Sequence, residues 1–319
     1  MLVPSMASIA PLIAASMLAL AEPGSTPGPS SMQNPAEPLP AEPIIGGEQT
    51  GEFEYGAIVA ILTSHSGLCT GTVVTPRLIL TAAHCIVGLP PLGGVDVHYG
   101  HDLYANTPVD AVAYGAHPDF DPEGREDIYD YAYVLLGTDF SPPDGFLPPI
   151  TEQDEWDEAI REGATITLVG FGEDPDANNP VASLGVKRKV DTTITRFSEL
   201  GLEFFAGGDG HDSCQGDSGG PAIVRLAGGG ARLAGITSRG SDPCGDGGFY
   251  GAPFPALAWI RDETGIDLLP ADCEDGECLD MSPPAEKEGR CAVGASERTP
   301  PPWSLMLLAL GLVRRRRAR

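Results

Sequence analysis

Positive charge is scarce in this chain of 319 residues: 19 Lys and Arg stand against 45 Asp and Glu, for a formal net charge of −26. A surface this acidic repels phosphate, so nucleic acid is excluded as a partner. Long apolar runs are also missing. The two best candidates, 9–20 and 303–313, fall short of the about 20 residues that a spanning helix requires. Neither an HExxH nor a CxxC pattern occurs, which argues against a metal enzyme, and no cofactor or metal is expected. Sustained helical periodicity is almost absent before Ala256. What remains is a chain with 42% hydrophobic residues, an ordinary globular content, and enough length for one large or two small cores.

The ends differ from the middle. Residues 1–21 carry the apolar run Ile9 to Leu20 and close on Ala19-Leu20-Ala21, a small-x-small cleavage pattern, and so read as a secretory signal peptide. No Lys or Arg precedes that run, so the amino terminus alone supplies the positive charge. Residues 22–43, rich in Pro, Glu, Ala, Ser and Gly, cannot bury enough apolar surface to offset their ordering entropy, and read as a pro-segment or linker. Residues 44–268 are expected to form the folded body, 269–299 an acidic linker containing cysteines, and 300–319 an apolar stretch followed by an arginine-rich tail. An exported chain with seven cysteines implies disulfides plus one left over. Cys291 is the candidate odd one. Cys273 and Cys278 are expected to bridge locally, because the oxygen-ligand spacing and central glycine of a calcium loop are not reproduced around them.

Within the body, Ala57 to Leu62, Thr72 to Val74, Arg77 to Leu80 and Thr165 to Val169 are short, apolar or β-branched, and separated by Gly, Pro, Asn and Asp clusters. This is the pattern of an all-β protein of barrel or sandwich type. Phe254 to Thr264 reads as a terminal helix, and Glu152 to Glu162 as a short helical turn between the two halves.

Three stretches carry chemistry. Leu78 to Cys85 is a strand that ends in small residues and delivers His84 at its tip. Cys69 lies 16 residues before Cys85, and a bridge closing such a loop contributes about 3 kcal/mol in the chain-entropy account. The other histidines, His65, His98, His101, His117 and His211, lack that context and read as structural. In Asp127 to Leu136, an aspartate heading an apolar run must be desolvated, and an imidazole partner would compensate it. Asp130 directly precedes the run, whereas Asp127 sits in a polar loop three residues earlier, so Asp130 is favoured. Asp212 to Pro221 is a loop of small, acidic and hydroxylated residues suited to presenting backbone N–H groups, with Ser218 as candidate nucleophile.

His84 in TAAHC, Asp130 in DYAYVLL and Ser218 in DSCQGDSGGP together resemble the trypsin-like serine proteases of chymotrypsin fold, over about Ile44 to Asp267. That resemblance implies two packed six-stranded antiparallel β-barrels with a C-terminal helix. It implies a catalytic triad of His84, Asp130 and Ser218, with an oxyanion hole at the N–H groups of Gly216 and Ser218. It places Asp212 at the base of the substrate pocket, with Ser213, Ser238, Gly240 and Gly248 on its walls, and a Cys214–Cys244 bridge framing it. The implied substrates are proteins or peptides cleaved after Arg or Lys. Ile44 would be the mature N-terminus, its ammonium pairing with Asp217, and an activating protease must release it after Pro43, which the family's usual activators would not cut. Arg239 stands where the family usually has Trp, and could favour acidic substrate residues. Phe205 and Val224 stand where the family often has cysteines.

Cys291, the apolar stretch Trp303 to Val313 and the arginine block from Arg314 resemble the C-terminal sorting signals of myxobacterial surface proteins. On that resemblance, the tail would anchor the protein at a membrane or cell surface, with Cys291 as the processing or anchoring site. The expected location is secreted or cell-surface. A second reading, a non-catalytic surface binding protein on the same fold, is opposed by the retention of His84, Asp130, Ser218 and Gly216.

Overall fold

The computed structural model describes residues 44–91, 93–105, 108–173 and 183–283. The expected signal peptide, the Pro-rich segment, Cys291 and the sorting tail lie outside those residues. Strands β2 (Ile58–Thr63), β3 (Gly67–Val73), β4 (Leu78–Thr81), β5 (Val95–His98), β6 (Val109–Ala116) and β7 (Ala132–Leu136) close into one antiparallel barrel in the order β2-β3-β4-β7-β6-β5. Strands β8 (Thr165–Gly170), β9 (Arg188–Phe197), β10 (Glu203–Ala206), β11 (Pro221–Arg225), β12 (Ala231–Gly240) and β13 (Gly248–Gly251) form a second. It closes through pairing of β8 with β9 and carries β1 (Glu48–Gln49) on the outside of β9. This is the chymotrypsin-like fold expected from the sequence.

The burial pattern explains the two kinds of strand. Ile58, Val59, Ala60 and Ile61 of β2 are all buried, because one face fills the barrel and the other is covered. β9 alternates instead: Val190, Thr192 and Ile194 point inward, and Asp191, Thr193 and Thr195 face solvent. Two short helices flank the barrels. α1 (Ala83–Ile86) carries His84, and α2 (Gln153–Ala159) lies in the expected acidic stretch with Trp156 buried. After a 3-10 turn at Phe254–Ala256, helix α3 (Leu257–Thr264) buries Leu257 and Ile260 and lays Trp259 against His117.

The barrels meet at fully buried side chains. Tyr131, entering β7, packs against Gly251 of β13 and donates its hydroxyl to Leu202 O at 3.2 Å. Disulfides join Cys69 to Cys85, Cys214 to Cys244 and Cys273 to Cys278. The last holds a segment that lies on the body: Gln153 donates to Asp280 O at 3.1 Å, and Asp280 N donates back to Gln153 at 2.8 Å.

Candidate active site

β4 ends at Thr81, and α1 begins two residues later, which sets His84 on the rim between the barrels. Its backbone N–H donates to Asp130 Oδ1 at 2.9 Å, and its ring Nδ1 lies 2.8 Å from Asp130 Oδ2. Ser238 Oγ donates to the same Oδ2 at 2.6 Å. A carboxylate 3% exposed is thereby compensated by three donors, and the imidazole, 33% exposed, is oriented by the first two. The choice between the two aspartates is visible in their partners. Asp127 faces the other way and organises a turn, accepting Ser198 Oγ at 2.5 Å, Leu200 N at 3.1 Å and Leu202 N at 3.2 Å.

Ser218 sits between Gly216, with φ +99°, and Gly219, with φ +81°. Only glycine suits the second position. A Cβ there would come within 2.0 Å of Thr81 Oγ1, in a backbone conformation that already disfavours side chains. The loop is clamped from the first barrel by Thr70, which the sequence did not single out. Its N–H donates to Ser218 O at 2.8 Å, and its hydroxyl donates to Gly216 O at 2.9 Å while accepting from Phe171 N at 3.2 Å. Thr70 follows Cys69 directly, and that adjacency was the one available signal.

His84 and Ser218 line a common cavity of about 270 Å³, together with Ser213, Ser238, Arg239 and Gly240. The Cys214–Cys244 bridge borders it. Gly248 pairs across the β12–β13 ladder with Gly240, which lines the cavity, and Asp212, the residue before Ser213, is 1% exposed. The Asp212 carboxylate accepts Ser213 N at 2.8 Å, Gly247 N at 2.8 Å and Gly245 N at 3.2 Å. Burial raises its pKa, and these N–H groups pull it back toward the ionised form. Ser213 Oγ in turn lies 3.0 Å from the hydroxyl of buried Tyr250.

Asp217 is the second buried carboxylate of the loop. It accepts Gly172 N at 2.8 Å and Cys214 N at 2.9 Å. Burial pushes its pKa up to about 7; those two bonds and the Arg188 charge oppose the rise, and Asp212 adds to it. Ile44 and Ile45 are buried beside this loop, with Ile45 O accepting Asp212 N at 3.3 Å.

The guanidinium of Arg239 is held by Glu203, with Nη1 to Oε1 and Nη2 to Oε2 both at 2.8 Å. This partner is a buried carboxylate 36 residues away, invisible to local sequence patterns. Of the remaining histidines, His117 is packed between Tyr129, Tyr131 and Trp259, where burial lowers its pKa.

A protein-family model described as Trypsin matches residues 44–260. Serine protease 56 of Homo sapiens is 30% identical over 269 residues, which cover 78% of this chain and 43% of the human protein. Melanization protease 1 of Drosophila melanogaster is 26% identical over 259 residues, covering 68% of this chain and 64% of the fly protein. CLIP domain-containing serine protease B10 of Anopheles gambiae is 27% identical over 276 residues, covering 74% and 73%. This chain thus spans less than two thirds of the length of the first two relatives.

Proposed function

Because this chain belongs to the trypsin family, we propose that it is a serine endopeptidase with Ser218 as nucleophile. The observation that carries the proposal is the His84–Asp130 pair at 2.8 Å opening on the cavity that Ser218 also lines. Ser218 Oγ attacks the scissile carbonyl carbon and its proton passes to His84. The oxyanion accepts the N–H groups of Gly216 and Ser218. The C–N bond then breaks, and His84 returns the proton to the leaving amine. Water repeats the sequence to free the acid. Asp130 fixes the imidazole tautomer and stabilises the imidazolium. Losing one oxyanion donor typically raises such a barrier by about 2.7–4 kcal/mol, so the glycine loop matters as much as the nucleophile.

The substrates we propose are proteins or peptides cleaved after Arg or Lys. Asp212 supports this: it is a buried carboxylate directly before Ser213, which lines the cavity, and an incoming cation that reached it would find an anion already desolvated. Activation is proposed to follow release of Ile44 by another protease, its ammonium supplying Asp217 with the partner that a buried charge requires. The protein is proposed to be exported and held at the cell surface through its C-terminal tail. Hydrolysis of chromogenic peptides ending in Arg, Lys, Phe or Ala by protein trimmed to Ile44, alongside Ser218→Ala, tests the reading. Turnover of the Arg and Lys peptides that is lost in Ser218→Ala supports it. No turnover of any peptide favours a binding module, and preference for Phe removes the role of Asp212 while keeping the protease.

A further inference from the structure

Glu203 opens β10 with 1% exposure, and a carboxylate there is tolerated only if every oxygen is answered. The answers come from two directions. Arg239 of β12 supplies a two-bond fork at 2.8 Å each, the geometry in which guanidinium and carboxylate bind most strongly. The backbone N–H groups of Asp127 and Ile128 supply the rest, at 2.9 Å and 3.5 Å. Arg239 reaches the same turn from its other side, donating Nη2 to Arg125 O at 2.6 Å. The ion pair thus grips residues 125–128 at both ends, immediately before Asp130. That turn needs holding, because Asp127 and Tyr129 adopt φ of +56° and +54°, a region costly for residues with a Cβ.

A second route runs through Ser238. Arg239 Nη1 lies 3.3 Å from Ser238 Oγ, which donates to Asp130 Oδ2 at 2.6 Å. The guanidinium face rests on the Phe249 ring, 4.1 Å from its centroid, which prevents the side chain from swinging away. Among the described residues, the charged and titratable groups around the pair include Arg196 on the same ring, itself paired with Glu126, then Arg125, Asp127, Tyr129, Asp130, Tyr131 and His84. Asp242 and Asp246 border the neighbouring cavities.

We propose that Glu203 and Arg239 form a positioning pair for Asp130, fixing it through the 125–129 turn and through Ser238. The charges of the pair sum to zero beside Asp130. An uncompensated guanidinium at this place would oppose formation of the imidazolium, since it is never deprotonated. The proposal rests on His84 being the catalytic base, and its first readout needs no turnover.

The test is the pKa of His84, followed by NMR titration in the protein trimmed to Ile44, together with kcat and KM on the preferred peptide. In Glu203→Gln, the His84 pKa is expected to fall by about half a unit or more, given a full charge uncovered within a partly buried region. kcat should drop at least about tenfold. In the double variant Glu203→Gln/Arg239→Gln, the His84 pKa should return to its wild-type value while kcat stays low, because the turn remains unheld. A pair with a purely architectural role gives lower thermal stability in both variants and the same His84 pKa in all three proteins, and that result overturns the proposal. Should Glu203→Gln not fold, Arg239→Lys decides: it keeps the charge but loses the fork, so wild-type kcat in that variant also overturns it. If wild-type protein titrates normally at His84 yet hydrolyses nothing, the protease reading fails, and the shift in Glu203→Gln still decides the positioning claim.

Discussion

Thr70 of the first barrel binds Ser218 of the second through its own backbone, N–H to O at 2.8 Å, and turns its hydroxyl onto Gly216 O at 2.9 Å. The residue that delivers the candidate nucleophile is therefore positioned by the opposite barrel. The cleft is the place where the two barrels depend on each other.

Thr70→Val keeps the shape of that contact and removes its hydroxyl. Phe171 N and Gly216 O then lose a partner inside the protein, and each buried group left unpaired costs about 1–3 kcal/mol. Urea denaturation should show a loss of about 2–4 kcal/mol. Peptide turnover should fall with it, whereas Thr70→Ser should stay close to wild type.

Asp217 makes stability depend on pH with a definite sign. Its carboxyl rises from an ordinary 3.8 to about 7 in the folded chain, so between those values the folded form binds the proton and the unfolded form does not. Stability contributed by this group is full below 3.8 and is lost as pH rises through about 7. Denaturation of the untrimmed chain across that window should show the decline, and Asp217→Asn should flatten it. Trimming to Ile44 should also flatten it, through the proposed pairing of the new ammonium with Asp217.

Asp212→Ser should lower kcat/KM for Arg and Lys peptides about a hundredfold or more while leaving the Phe peptide within a few-fold, since removing one partner of a buried charge pair costs about 2–5 kcal/mol. Gly247 N and Gly245 N lose their acceptor in the same variant, so its melting temperature should fall as well. Equal losses on all peptides would mean that Asp212 shapes the loop rather than reading the substrate.

Much of this site was legible because its chemistry lies in contiguous stretches. His84 is flanked by the small residues that let α1 start, and Ser218 by the glycines that its loop geometry demands. Asp130 was separable from Asp127 by its position at the head of an apolar run, and the structure gives the two aspartates separate partners accordingly. What the sequence did not disclose was contact across distance. Thr70 meets Gly216 across 146 positions, and Glu203 meets Arg239 across 36. Neither pair leaves a periodic or local signal. The sealing of Asp212 by backbone N–H groups was hidden for the same reason. Those donors sit at Gly245 and Gly247, on the far side of the Cys214–Cys244 bridge.

Whether Ser218, activated by His84, acts as a nucleophile can be read by reacting protein trimmed to Ile44 with a fluorophosphonate and mapping the adduct by mass spectrometry. One stoichiometric adduct on Ser218 is expected, strongly slowed in His84→Ala and absent in Ser218→Ala. No adduct on the folded trimmed protein, or labelling at Ser218 that proceeds equally fast without His84, would contradict that role.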